Sequence, residues 1–129
     1  MANDPLSDAM NVIKTHEMAG REQCIVKPAS KVIMRVLEIF KERGYISGFE
    51  FNDNGKSGSI TVKLLGRINK CGTIKPRFAI GYAEWAKWEQ RYIPGKGFGV
   101  IIVSTPQGMT TNEDAQKKKI GGRLIAYVY

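Results

Sequence analysis

The stretch Gly99-Val100-Ile101-Ile102-Val103-Ser104-Thr105-Pro106-Gln107-Gly108 constrains this chain more than any other. Its first half is apolar and β-branched at both parities, which predicts a strand covered on both faces. Pro106 has no N–H to give to a ladder and stops the strand, and Gly108 supplies a flexible exit. Ser104 and Thr105 therefore stand at the mouth of a rigid element. Small hydroxyls held in this way suit contacts to a base edge or a ribose, because the scaffold has already restricted their motion. The same hydroxyls also suit capping of the turn through its own backbone. The sequence leaves both uses open.

With 129 residues, 43% of them hydrophobic, the chain can bury a core, in one domain or in two small lobes sharing one interface. The net charge of +8 favours a polyanionic partner, since each neutralised phosphate releases counterions. The excess is uneven. Residues 1–65 carry 9 basic and 8 acidic side chains, and residues 66–129 carry 11 and 4. No apolar run approaches the roughly 20 residues needed to span a bilayer, and no signal-peptide pattern opens the chain, so a cytoplasmic protein without a membrane partner is expected. Cys24 sits in an apolar run and reads as a small core residue, whereas Cys71 follows Asn69-Lys70 in a basic stretch and reads as a candidate for exposure. One histidine, His16, and no clustered ligand spacing leave no metal site, no cofactor and no small-molecule substrate to expect. A nucleic-acid-modifying enzyme is a second class to weigh, but the chain has no nucleophile elbow and no paired base, so no catalytic residue is assigned.

Along the chain, Asn3-Asp4-Pro5 starts a helix whose Leu6, Ala9, Met10 and Ile13 form one buried stripe. Glu22 to Val26 is a short strand. Lys27-Pro28-Ala29-Ser30-Lys31 leads into a second helix, capped by Ser30 or Ala29 and stopped at Gly44. The free N–H groups of that cap, flanked by Lys27 and Lys31, form either a phosphate seat or an ordinary capped helix with two solvated lysines. Residues 46–52 and 59–65 read as a β-hairpin turned by Asp53-Asn54-Gly55. Gly55-Lys56-Ser57 is not a P-loop, because Glu50 holds the position of the earlier glycine and a strand follows. Residues 66–77 read as an irregular basic linker. Tyr82 to Gln90 is a candidate helix whose Trp85 and Trp88 serve packing more readily than stacking, and Tyr92 and Lys96 stand near a loop open to a nucleic acid. Thr111-Asn112-Glu113-Asp114 opens a short helix ending in Lys117-Lys118-Lys119, where the helix dipole alone accounts for the lysines. Gly121-Gly122 permits a close backbone approach, and Arg123 to Tyr129 is a closing strand expected beside Val100–Val103.

The Lys27–Lys31 turn, the Val103-Ser104-Thr105 turn with Gly108, the Thr111-x-x-Asp114 helix and Gly121-Gly122-Arg123-Leu124-Ile125-Ala126-Tyr127-Val128-Tyr129 resemble the S8 family of small-subunit ribosomal proteins. The resemblance covers nearly the whole chain, and Asn69-Lys70-Cys71-Gly72 with Ile74, Pro76, Arg77 and Phe78 is similar to the archaeal and eukaryotic branch. It implies an α+β fold of two small lobes: an α-β-α-β-β lobe over 1–65, the basic linker 66–77, and a mainly-β lobe with a short helix over 78–129. It implies a non-catalytic component of the small ribosomal subunit that binds a helix in the central domain of ribosomal RNA, assists assembly and adjoins other small-subunit proteins. A regulatory module on a messenger RNA of similar shape is the alternative. On this resemblance the RNA-binding residues are Asp4, Pro5, Lys27, Ser30, Lys31, Lys56, Ser104, Thr105, Pro106, Gln107, Gly108, Gly121, Gly122 and Arg123. Pro106 replaces a hydroxyl residue and Arg123 a glutamate of the bacterial pattern, which makes Gln107 a substitute donor and Arg123 a candidate partner for phosphate.

Overall fold

The computed structural model describes residues 5–27, 29–53, 58–75, 77–95 and 98–129. The expectations placed on Asp4, Pro28, Lys56, Pro76, Lys96, Gly97 and the hairpin turn at 54–57 lie outside the described residues. The chain divides into two compact units, Met1–Lys70 and Cys71–Tyr129. The division falls inside the stretch 66–77 that sequence alone marks as irregular, because Cys71–Thr73 is already a strand of the second sheet.

The first unit runs α1 (Pro5–Met18), β1 (Gln23–Val26), α2 (Lys31–Glu42), β2 (Ile46–Asn52) and β3 (Ser59–Leu64). Leu6, Ala9, Met10 and Ile13 are the buried residues of α1, and Ile33, Val36, Leu37 and Phe40 recur at helical spacing on the buried face of α2. Both helices close on a glycine in the left-handed region, Gly20 at φ +74° and Gly44 at φ +79°. Beyond them the N–H of Arg21 donates to the His16 carbonyl at 3.0 Å and that of Tyr45 to the Phe40 carbonyl at 2.9 Å, satisfying carbonyls that a helix end leaves open. β3 is the middle strand, antiparallel to β1 and to β2. Cys24, Val26, Ile60 and Val62 are buried, while Gln23, Ile25 and Lys63 are exposed. The alternation follows from the packing of α1 on β1 and of α2 on β2.

The second unit runs β4 (Cys71–Thr73), β5 (Ala79–Ile80), a 3-10 turn (Tyr82–Glu84), α3 (Trp85–Tyr92), β6 (Val100–Thr105), β7 (Gly108–Thr111), α4 (Asn112–Lys117) and β8 (Gly122–Val128). Its sheet has the order β4-β8-β6-β7, with β5 also on β8, and β6 pairs antiparallel with β8 as expected. Val100, Ile101, Ile102 and Val103 are all at most 3% exposed, the burial on both parities that their composition requires. Trp85 and Trp88 pack with Ile101, Val103, Ala115 and Leu124, so their packing use prevails. The Trp85 indole N–H also donates to the Ile120 carbonyl at 3.0 Å.

The unit holds α3 and α4 beside its sheet, where the sequence places two short helices. Gly108 leaves the turn directly into β7: Thr105 pairs with Gly108 and Ser104 with Met109, so β6 and β7 form a hairpin turned by Pro106-Gln107. One expectation is corrected. Cys71 is buried at 3%, because β4 places it opposite Val128 in the sheet.

Candidate nucleic-acid interface

In the first unit the Lys27–Lys31 turn opens α2 as a capped helix. The Ser30 hydroxyl accepts the Ile33 N–H at 3.2 Å, so the cap is Ser30 rather than Ala29. No acidic residue lies in the first turn of α2, which leaves the positive end of its dipole uncompensated. Lys27 and Lys31 flank it, both exposed and both without an ion pair among the described residues. Pro5 is the exposed first residue of α1. Unlike these exposed groups, Ser30 has its hydroxyl committed to the backbone, and its contribution is to hold the helix start open.

In the second unit the β6–β7 hairpin separates two hydroxyls that look equivalent in the sequence. The Thr105 hydroxyl donates to the Gly108 carbonyl at 2.7 Å and accepts the Gln107 N–H at 3.1 Å, so it closes the turn. The Ser104 hydroxyl has no hydrogen-bond partner among the described residues and is half-buried. Pro106 and Gln107 are exposed at the turn, where the fixed φ of proline suits the first central position. Gly108, at φ +112°, re-enters the sheet in a conformation that an L side chain resists.

Arg123 stands directly opposite Ser104 in the β6–β8 ladder. Cross-strand neighbours hold their Cβ atoms about 5 Å apart, so the exposed Arg123 side chain and the Ser104 hydroxyl leave the same face of the sheet from adjacent positions. The glycines before Arg123 make this possible by close approach. A Cβ on Gly122 would collide with the Ser104 carbonyl and lie 2.8 Å from Val103 Cγ2. One on Gly121 would collide with the Ile80 carbonyl. Gly121 and Gly122 thus position the site by lacking side chains.

The acidic residues of this unit are largely occupied internally. A Glu84 carboxylate oxygen accepts the Gly81 N–H at 3.1 Å, Glu89 accepts the side-chain amides of Asn112 and, at 2.9 Å, Gln116, and Asp114 accepts the Thr110 hydroxyl at 3.4 Å. Asn112, 1% exposed, also accepts the Ile101 N–H at 3.0 Å through its carbonyl. Sequence reasoning assigned Asn112 only to the start of a helix, and nothing local signals that its amide repairs the backbone of β6. Lys117, Lys118, Lys119 and Arg123 remain exposed. Among the described residues no group of His, Cys, Asp and Glu could hold a metal ion, and no helix is long and apolar enough to cross a membrane.

Each of the two α+β units thus presents exposed basic and hydroxyl groups, a lysine-flanked helix start in one and a polar hairpin beside an arginine in the other. Residues 4–129 match the family described as ribosomal protein S8, and the chain belongs to that family. It is similar to the small ribosomal subunit protein uS8 of Methanococcoides burtonii, with 48% identity over 126 residues that cover 98% of this chain and 97% of the relative.

Proposed function

We propose that this protein binds directly to a helix in the central domain of small-subunit ribosomal RNA and helps that subunit assemble beside neighbouring proteins. Membership in the S8 family makes it a structural ribosomal protein and not an enzyme. The observation that carries the RNA-binding proposal is the free Ser104 hydroxyl opposite Arg123, held at the end of the buried run Val100–Val103 of β6. The major groove of A-form RNA is too deep and narrow for side chains to read, so recognition falls on the shallow minor groove, the phosphates and distorted base positions. Ser104 with Gln107 contacts such an irregular position, Arg123 neutralises an adjacent phosphate, and Lys27, Lys31 and the start of α2 grip the backbone. Affinity then comes from the cations and selectivity from the hairpin.

The test is binding to a central-domain RNA fragment and to an unrelated duplex of equal length, across a salt series. The proposal expects a preference for the central-domain fragment that persists as salt rises. Equal affinities that vanish together would overturn it.

A further inference from the structure

The β6–β8 pair has a second end, and its chemistry differs from that of the hairpin. There the rings of Phe78, Trp88, Tyr92, Tyr127 and Tyr129 form a continuous row, with successive centroids 4.6, 6.2, 5.6 and 6.3 Å apart. The Trp88–Tyr92 and Tyr127–Tyr129 planes are nearly parallel, at 9° and 22°. Gly99 packs against Tyr129 Cβ and Ile93, which places the neighbouring Phe98 at this same end. Phe98 is 72% exposed, and its N–H is tied to the Gly95 carbonyl at 3.0 Å, so its aromatic ring stands out in water on an anchored backbone.

The cations at this end point to the kind of partner. The Arg91 guanidinium lies 5.3 Å from the Trp88 ring, 5.7 Å from Tyr92 and 5.8 Å from Phe78, and the Lys87 ammonium lies 5.5 Å from Trp88. Both are exposed, and neither makes an ion pair among the described residues. Glu89, the nearest acid in sequence, is held by Asn112 and Gln116. Aromatic rings interleaved with unneutralised arginine and lysine bind splayed-out bases through stacking and cation–π contact, with the phosphates drawn to the charge. A protein partner would need to supply carboxylates to the same cations. The +8 chain in a ribonucleoprotein meets phosphate first.

We infer that Phe98, Tyr92 and Tyr129, with Arg91, form a stacking surface for unpaired RNA nucleobases, separate from the Ser104–Arg123 site. The two lie roughly 15 Å apart, at about 3.3 Å per residue along β6. One rigid strand pair thereby contacts a helical and an unpaired part of the same RNA. This rests on the RNA-binding function proposed above.

The probes are a blunt central-domain helix and the same helix carrying an unpaired oligoadenylate extension. Binding is measured for the full-length protein and for Phe98→Ala and Phe98→Leu. Wild-type protein is expected to prefer the extended RNA, and Phe98→Ala to lose roughly tenfold on that RNA alone, the scale of one stacked base. Phe98→Leu, which keeps an apolar side chain but no π-face, is expected to follow Phe98→Ala. A Phe98→Leu variant with full affinity would make the contact apolar docking and overturn the inference. So would equal losses on both RNAs, or no loss on either. Selective binding of the blunt helix with no gain from the extension refutes the stacking surface alone, whereas failure to bind the blunt helix selectively refutes the RNA-binding function itself.

Discussion

At the scale of single residues, the hairpin separates recognition from support. Thr105 is spent on its own turn, so replacing it disturbs the loop, whereas Ser104 is spent on nothing internal. Ser104→Ala is therefore expected to weaken binding to the cognate RNA by about 5- to 10-fold, one hydrogen bond's worth, and to move stability by less than about 0.5 kcal/mol. Filter binding and thermal melts check the two halves. Asn112 behaves in the opposite way. Asn112→Ala strips the buried Ile101 N–H of its acceptor and Glu89 of a donor, and is expected to cost about 2–4 kcal/mol with an unchanged denaturant slope in urea titrations. Sequence could not separate Ser104 from Thr105. Both lie within two residues of the proline, and only the pairing of Thr105 with Gly108 decides which hydroxyl is consumed.

At the scale of elements, α1, α2, β1, the β2–β3 pair, β6, α4 and β8 were legible, because helical spacing, a serine cap and terminal glycines are local signals. β4, β5 and β7 were not. They are short, and tertiary pairing with β8 or β6 holds them rather than any alternation of their own. The C-terminus of α4 shows local preference overridden. Lys119 N–H donates to Gln116 and Ile120 N–H to Ala115, both at 3.0 Å, the arrangement that normally ends on glycine, yet Lys119 itself takes φ +57°. Lys119→Gly is expected to stabilise the fold by about 1 kcal/mol, seen as a higher melting temperature, and to reduce RNA affinity through the lost charge. At the start of α2, Lys27→Ala and Lys31→Ala are each expected to lower the logarithmic salt slope of RNA binding by about 1, measured by titration at several ionic strengths. An unchanged slope would place them away from phosphate.

At the scale of the whole molecule, charge and proton balance govern where the fold is stable. Burial, with the Glu17 carboxylate as a lesser cause, pushes the Cys24 thiol up to about 11 from an ordinary 9.0. The folded state therefore holds this proton more tightly than the unfolded state. Its contribution is fully present below pH 9 and is lost as pH rises towards 11. Cys24→Ala is expected to flatten that alkaline decline relative to wild type, with urea midpoints from pH 8 to 11 as the check. The irregular stretch 66–77 was readable from its composition, whereas β4 within it was not, because it has too few residues to announce a strand. β8 carries one more consequence. Ile102 pairs with Ala126 but Val103 pairs with Leu124, so Ile125 is an extra residue in the ladder. Were Ile125 paired in an unbroken register, Arg123 would fall opposite Thr105 instead of Ser104. The bulge acts as a phase shifter between the apolar and polar halves of one strand, so a ladder that ran on without it would leave the core in step and put the arginine out of step with its hydroxyl.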